Sequence, residues 1–296
     1  MLVPPDVGVL VADYGVGDHY IVAAFAEEVR RHHGLRVWLA GKARLAFLSD
    51  LFPAAERYLT WPENLVPAQL VAKQIQGGTF FHAHFPGLEL MRAVGYNRFH
   101  FLDAYRCRLG LRPEAALSQA RRPRSDEIEA ARTTLRAHGF DPAESVLVCP
   151  EARTTPTDGV GPEFWAALYA GLAAAGLRPV VNASPNCGLP DGVGRLSPEL
   201  SELRALAGAC AGVCSIRSGF SDLVCDLPMP GVVIYPQVRY WAGTLLEGTT
   251  FDRYGLAAAP TEIVVTPGVA AVRAGEIVDI LTQGAAHGAV DLAAGR

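Results

Sequence analysis

The chain has 296 residues, half of them hydrophobic and 19% charged, enough for one large domain or two of moderate size. A formal net charge of -4 argues against a nucleic-acid partner, and no apolar run reaches the roughly 18 residues of a spanning helix. The opening Met1-Leu2-Val3-Pro4-Pro5-Asp6 has neither a basic region nor an apolar signal core, so a cytoplasmic protein is expected.

In chain order, Val7-Gly8-Val9-Leu10-Val11 reads as a buried strand. Helical periodicity follows from Asp18 to His33, with Ile21, Val22, Phe25 and Val29 on one face. Gly34 closes that helix, and Leu35–Leu39 is the next strand. This is a βαβ unit, which implies parallel strands and a right-handed crossover. A weaker strand covers Thr79–Ala83, with helices near Leu88–Val94 and Phe99–Leu109. Leu111–Arg124 reads as a connection. Its Arg121, Arg122 and Arg124 are interrupted by Pro123, the mark of a solvated linker, with contact to an anionic membrane as the weaker reading. Ser125 reads as the N-cap of a helix to His138, and Gly139-Phe140-Asp141-Pro142 as a stop.

The pattern then restarts. Strands are expected at Ser145–Cys149, Pro179–Asn182, Gly212–Ile216 and Gly231–Ile234. Helices are expected at Pro162–Ala175, from Ser197-Pro198 to Gly208, at Ser218–Leu227 and at Ala270–Gln283. Two α/β sets suggest two doubly wound domains facing each other, over residues 1–139 and 140–296. Ligands would then sit beyond the carboxyl ends of the strands. The six cysteines form no C-x-x-C pair and read as reduced thiols.

Four segments could carry chemistry. Gly15-Val16-Gly17-Asp18-His19-Tyr20 lies at the first strand-to-helix turn and is not a dinucleotide fingerprint, because position 20 is Tyr. Asp18 reads as a helix cap or, more sharply, as a general base toward an acceptor hydroxyl. Ile216-Arg217-Ser218-Gly219-Phe220-Ser221-Asp222 joins a strand to a helix, where N–H groups, a hydroxyl and a guanidinium could hold phosphate. Asp222 could accept from a sugar hydroxyl. The bland alternative is a capped turn with Arg217 in a structural salt bridge. Cys149–Pro156, with Arg153 and Thr154, could close over a diphosphate-sugar or be a surface loop. His82-Ala83-His84 places two imidazoles on one strand face, and ordinary cleft-lining histidines are favoured over a metal site. There is no Asp-x-Asp pair, P-loop or G-x-S-x-G.

Taken together these segments resemble the heptosyltransferase-like glycosyltransferases of family 9. Gly17-Asp18-His19-Tyr20-Ile21-Val22 is similar to that family's first loop. Val146–Pro150 with Pro162–Trp165 is similar to its first donor-domain strand and helix, and Val213–Asp222 to its donor-phosphate turn. The resemblance implies a GT-B architecture of two Rossmann-like domains, the acceptor side in 1–139 and the nucleotide-sugar side in 140–296. It implies Asp18 as base and inverting transfer from a nucleoside-diphosphate sugar to a saccharide or small-molecule acceptor; no cofactor and no metal are expected, and the missing Asp-x-Asp pair is consistent with metal independence. Arg153, Thr154, Arg217, Ser218, Gly219 and Asp222 would line the donor site, and Gly17, His19, Tyr20 and His84 the acceptor side. Thr157–Pro162 replaces the family's Lys-Arg-Trp-Pro, so Arg153 or Arg217 would assume the lysine's phosphate contact, or activity is lost. The acidic residue expected near Asn182–Asn186 is also absent, which argues against an ADP-linked heptose. A nucleotide-sugar epimerase and a non-catalytic nucleotide-sugar-binding subunit are the alternatives.

Overall fold

A computed structural model of the chain describes residues 2–12, 15–61, 77–83, 100–152, 157, 160–185, 187–190, 193–237, 239–240, 243–244, 248–257, 259–266 and 268–293. The chain forms two compact units. Unit 1 is Met1–Arg122 with Arg239–Ala257, and unit 2 is Pro123–Val238 with Ala258–Arg296.

Unit 1 runs β1 (Val7–Val11), α1 (Val16–Ala24), α2 (Ala26–His33), β2 (Arg36–Lys42), α3 (Leu48–Leu51), β3 (Ala55–Trp61), β4 (Thr79–His82) and α4 (Phe101–Arg108). Its sheet has the order β3-β2-β1-β4, with every pair parallel. β1 is central and all five of its residues are buried, as an apolar run covered on both faces must be. One face packs Val7, Val9 and Val11 with Trp38, Leu59 and Trp61. Where one long helix was expected, α1 and α2 meet at the fully buried Phe25, which is the C-cap of one and the N-cap of the other. Gly34 ends α2 in the left-handed region at φ 67°, after four basic residues that complement the helix dipole.

Unit 2 runs α5 (Ser125–Ala137), β5 (Ser145–Cys149), α6 (Pro162–Ala174), β6 (Arg178–Val181), β7 (Gly194–Arg195), α7 (Leu203–Ala209), β8 (Gly212–Ile216), α8 (Gly219–Val224) and β9 (Gly231–Pro236). A small antiparallel pair, β10 (Arg239–Tyr240) and β11 (Gly243–Thr244), follows in the segment that belongs to unit 1. The chain then re-enters unit 2 as β12 (Thr261–Val265) and α9 (Ala270–Ala293). The parallel six-stranded sheet has the order β12-β9-β8-β5-β6-β7. In units of its own strands this is 6-5-4-1-2-3, the doubly wound dinucleotide-fold order. α9 packs along α6, and Phe164, Leu168 and Leu172 join Ile277 and Leu281 over Val146, Val148, Val232 and Ile234.

Three expectations change. β3 and β12 were not read as strands, and both are sheet edges that carry polar, partly exposed residues. α7 begins at Leu203 rather than at Ser197-Pro198. Arg124, not Ser125, is the N-cap of α5, and its N–H donates to Glu127 at 2.7 Å. The helix expected at 88–94 lies outside the described residues. Among the described residues no helix is long and apolar enough to cross a membrane, and all six cysteines are free thiols.

The topology directs attention to two places. In unit 1 the strand order reverses between β1 and β4, and in unit 2 between β5 and β8. Open parallel sheets bind ligands outside the carboxyl ends at such a point. The turn carrying Asp18 follows β1, and the turn carrying Ser218 follows β8.

Candidate functional site

At the carboxyl end of β1 the chain turns into α1 through Gly15, an extended N-cap. Asp18 is the third helical residue. Its Oδ2 accepts the Gly15 N–H at 3.1 Å, satisfying one of the amides a helix start leaves over. Its Oδ1 accepts from the Tyr105 hydroxyl, delivered by α4. Asp18 is half-buried, so the carboxylate is fixed in place without being sealed off. The capping role, one of the two expected of Asp18, is thus observed.

The neighbours of Asp18 are more structural than the sequence suggested. Gly17, His19 and Tyr20 are buried. Tyr20 is a core side chain, edge-on to Phe52 with 5.2 Å between ring centroids, because its helix position faces α3. His19 sets Nδ1 against the Gly15 carbonyl at 3.1 Å. A Cβ on Gly41 would stand 2.6 Å from His19 Nε2 and closer still to the Tyr58 hydroxyl, so only glycine allows this approach. Tyr58 donates to the Lys42 carbonyl at 3.0 Å. His84 lies outside the described residues, and His82 ends β4 half-buried.

In unit 2, Arg153 and Thr154 lie outside the described residues. Glu151, just past β5, reaches across to the end of β6, where its carboxylate accepts from Ser184 N–H at 2.5 Å and from Ser184 Oγ at 2.8 Å. The sequence lacks an acid after β6, and the fold brings one there from β5. Arg195 ties the same loop through the Ala183, Ser184 and Cys187 carbonyls. Burial pushes the Cys149 thiol far up, which rules it out as a thiolate nucleophile.

The Arg217-Ser218-Gly219 turn differs most from expectation. The guanidinium was expected to offer its fork to phosphate, and Asp222 its carboxylate to a sugar hydroxyl. Instead the two are joined, Nη1 to Oδ2 at 2.9 Å and Nη2 to Oδ1 at 2.8 Å, with both side chains only 5% exposed. Nη1 also donates to the Ser218 carbonyl at 3.0 Å and to Ser221 Oγ at 3.3 Å. The reason is local: α8 places Asp222 one turn above the arginine, where two buried opposite charges must pair. Ser218 is an extended N-cap whose N–H donates to Ser221 Oγ at 2.9 Å, and its own buried Oγ has no partner among the described residues. Gly219 is half-buried and is the part of this turn nearer the surface, with the Ser218 hydroxyl buried beside it. A second buried pair, Arg204 to Asp226 at 2.6 Å, braces the chain after α8.

Tyr105 and Glu151 were not singled out by sequence reasoning. Tyr105 carried one legible signal, a phenol on the buried face of a helix, since such a hydroxyl must find a partner.

No protein-family model matches the chain, and no curated protein matches it by sequence. Solved structures do match in fold. A family 9 glycosyl transferase from Veillonella parvula is 13% identical with a TM-score of 0.60, covering 93% of this chain and 97% of that one. The Escherichia coli ADP-heptose LPS heptosyltransferase II is 13% identical with a TM-score of 0.64, covering 93% and 98%. The fold is that of the family 9 glycosyltransferases. The dodecameric, iron-containing heptosyltransferase TibC, in complex with ADP-D-β-D-heptose, shares this GT-B fold at 14% identity and a TM-score of 0.57, covering 96% of this chain and 78% of that one. Among the described residues no three His, Cys, Asp or Glu are grouped so as to hold a metal ion.

Proposed function

We propose that this chain is a glycosyltransferase that moves a sugar from a nucleoside-diphosphate sugar to an acceptor hydroxyl. The observation that carries the reading is the GT-B fold, end to end, with Asp18 and the Ser218 turn each beside a topological switch point. Unit 1 is the acceptor side and unit 2 the donor side. Asp18 takes the proton of the acceptor hydroxyl, and that oxygen attacks the anomeric carbon. The bond from that carbon to the diphosphate breaks, and the diphosphate leaves with the electron pair. A single displacement of this kind inverts the anomeric centre. Such a base is typically worth ~10²–10⁴ in rate.

The donor's diphosphate lies at the Ser218-Gly219 turn, against the N–H groups at Gly219, with Arg153 supplying positive charge in place of the family lysine. Arg217 acts from behind, holding the turn through Asp222. The transfer needs no metal, because hydrogen-bond donors and arginine meet the leaving charge. The named neighbours include a structure holding an ADP-linked heptose, which supports the same donor class here. The chain works in the cytoplasm, with contact at a membrane surface when the acceptor resides there.

The test is Asp18→Asn. It should abolish transfer while leaving donor binding nearly intact, and unchanged turnover would remove Asp18 as the base. A thermal-shift screen across UDP, GDP, ADP, CMP and dTDP checks the donor side, and no stabilisation by any of them would count heavily against it.

A second reading, a non-catalytic nucleotide-sugar-binding subunit, is favoured by one observation. The charge of Arg217 is cancelled by Asp222 inside the turn. That reading predicts nucleotide binding without turnover for every acceptor.

A further inference from the structure

The Tyr105 side chain is fully buried within unit 1, and its hydroxyl reaches Asp18 across 87 residues of sequence. The phenol donates to Oδ1, while the Gly15 N–H donates to Oδ2 at 3.1 Å. One donor on each oxygen fixes the plane of the carboxylate.

The donor itself is anchored. His100 caps α4, with Nδ1 accepting the Leu102 N–H at 3.3 Å and Nε2 at 3.0 Å from the Thr250 carbonyl. Asp103 is clasped by both prongs of Arg253 at 2.8 and 2.9 Å and by Arg106 at 2.9 Å. Phe101 rests near Tyr254, with 6.1 Å between centroids. The returning segment 239–257 thus pins the helix that carries the phenol.

We propose that Tyr105 is a positioning residue for Asp18: its hydroxyl orients the carboxylate toward an incoming hydroxyl and keeps it ionised. The proposal rests on the reading of Asp18 as the base. It excludes the simpler role of ring filler, for which phenylalanine would serve equally.

The experiment uses the full chain with ¹³C-carboxyl-labelled aspartate, with the Asp18 resonance identified by its loss in Asp18→Asn. The measured quantity is the pH midpoint of that resonance. A hydrogen bond donated to the ionised form lowers a carboxyl's pKa, so Tyr105→Phe should raise the midpoint by about one unit. Substituting 3-fluorotyrosine at position 105, a more acidic phenol and a stronger donor, should lower it. The opposite signs keep the test decisive even where removing the hydroxyl upsets folding. His19 in the same turn, Asp50 on α3, Glu27 and Glu28 on α2, and Asp103 and Arg106 on α4 are common to all variants and drop out of the difference. A midpoint that stays put in both proteins overturns the proposal. Turnover in Asp18→Asn would instead overturn the base reading and leave the hydrogen bond standing, so the two failures are distinguishable.

Discussion

Arg217 and Asp222 form the ion pair that holds the turn after β8, and its removal has a calculable effect. Both side chains are 5% exposed, and two charge-assisted hydrogen bonds of 2.8 and 2.9 Å join them. Removing either partner leaves a buried charge uncompensated, at a cost of ~3–5 kcal/mol. Arg217→Met also withdraws the donors that hold the Ser218 carbonyl and Ser221 Oγ, which places it at the upper end. Replacing both partners with apolar groups of similar volume, Arg217→Met with Asp222→Leu, removes the uncompensated charge and should be near neutral. The double-mutant cycle should therefore show a coupling of at least ~6 kcal/mol, the sum of the two single effects, far above the ~0.5 kcal/mol scatter of independent sites. Urea unfolding followed by circular dichroism, with all four proteins at one pH and salt, measures it. Effects that simply add would mean the pair does not exist in solution, and Arg217 would again be available to a ligand.

Other consequences follow from unit 1. Burial pushes His100 down to about 4 from an ordinary 6.5, with the Thr250 carbonyl opposing and the Arg253 charge assisting. The folded state keeps this imidazole neutral while the unfolded chain binds a proton, so its contribution is complete above pH 6.5 and is lost as pH falls toward 4. The full effect is about 3 kcal/mol, and urea midpoints at pH 7 and 4.5 should differ more in the wild type than in His100→Gln. Gly41→Ala should destabilise unit 1 by ~1–3 kcal/mol by overpacking against His19 and Tyr58, visible as a lower melting temperature. Arg253→Ala should cost less than ~1 kcal/mol, because that arginine is 44% exposed and its pair is screened by water.

What was legible in the sequence divides along physical lines. β1, β5 and β8 are fully buried central strands, so each is a short, mostly apolar run without charge. β3 reads Ala-Glu-Arg-Tyr-Leu-Thr-Trp and β12 Thr-Glu-Ile-Val-Val; as edges they leave several residues exposed, and polar side chains there dilute the apolar signal. The strand-to-helix turns at Asp18 and Ser218 were legible because glycine, a hydroxyl and a charge beside a strand end have few other uses. What those charges touch was not legible. Arg217 has phosphate and Asp222 as chemically equal partners on paper, and only the rise of α8 decides between them. Glu151 could not be connected to the end of β6, 33 residues away, without the sheet order that makes the two strands neighbours.

The chain leaves unit 2 after β9, contributes Arg239–Ala257 to unit 1, and goes back. In synthesis from the N-terminus, the first 122 residues emerge long before the piece that finishes their unit. α4 lacks Thr250, Arg253 and Tyr254 until synthesis has passed residue 254, after most of unit 2. Until then the nascent first unit is an incomplete body whose α4 lacks part of its packing. It also means that no single cut of the gene yields both units whole. An excised first unit would need residues 239–257 grafted onto it before its Asp18 turn could be studied in isolation.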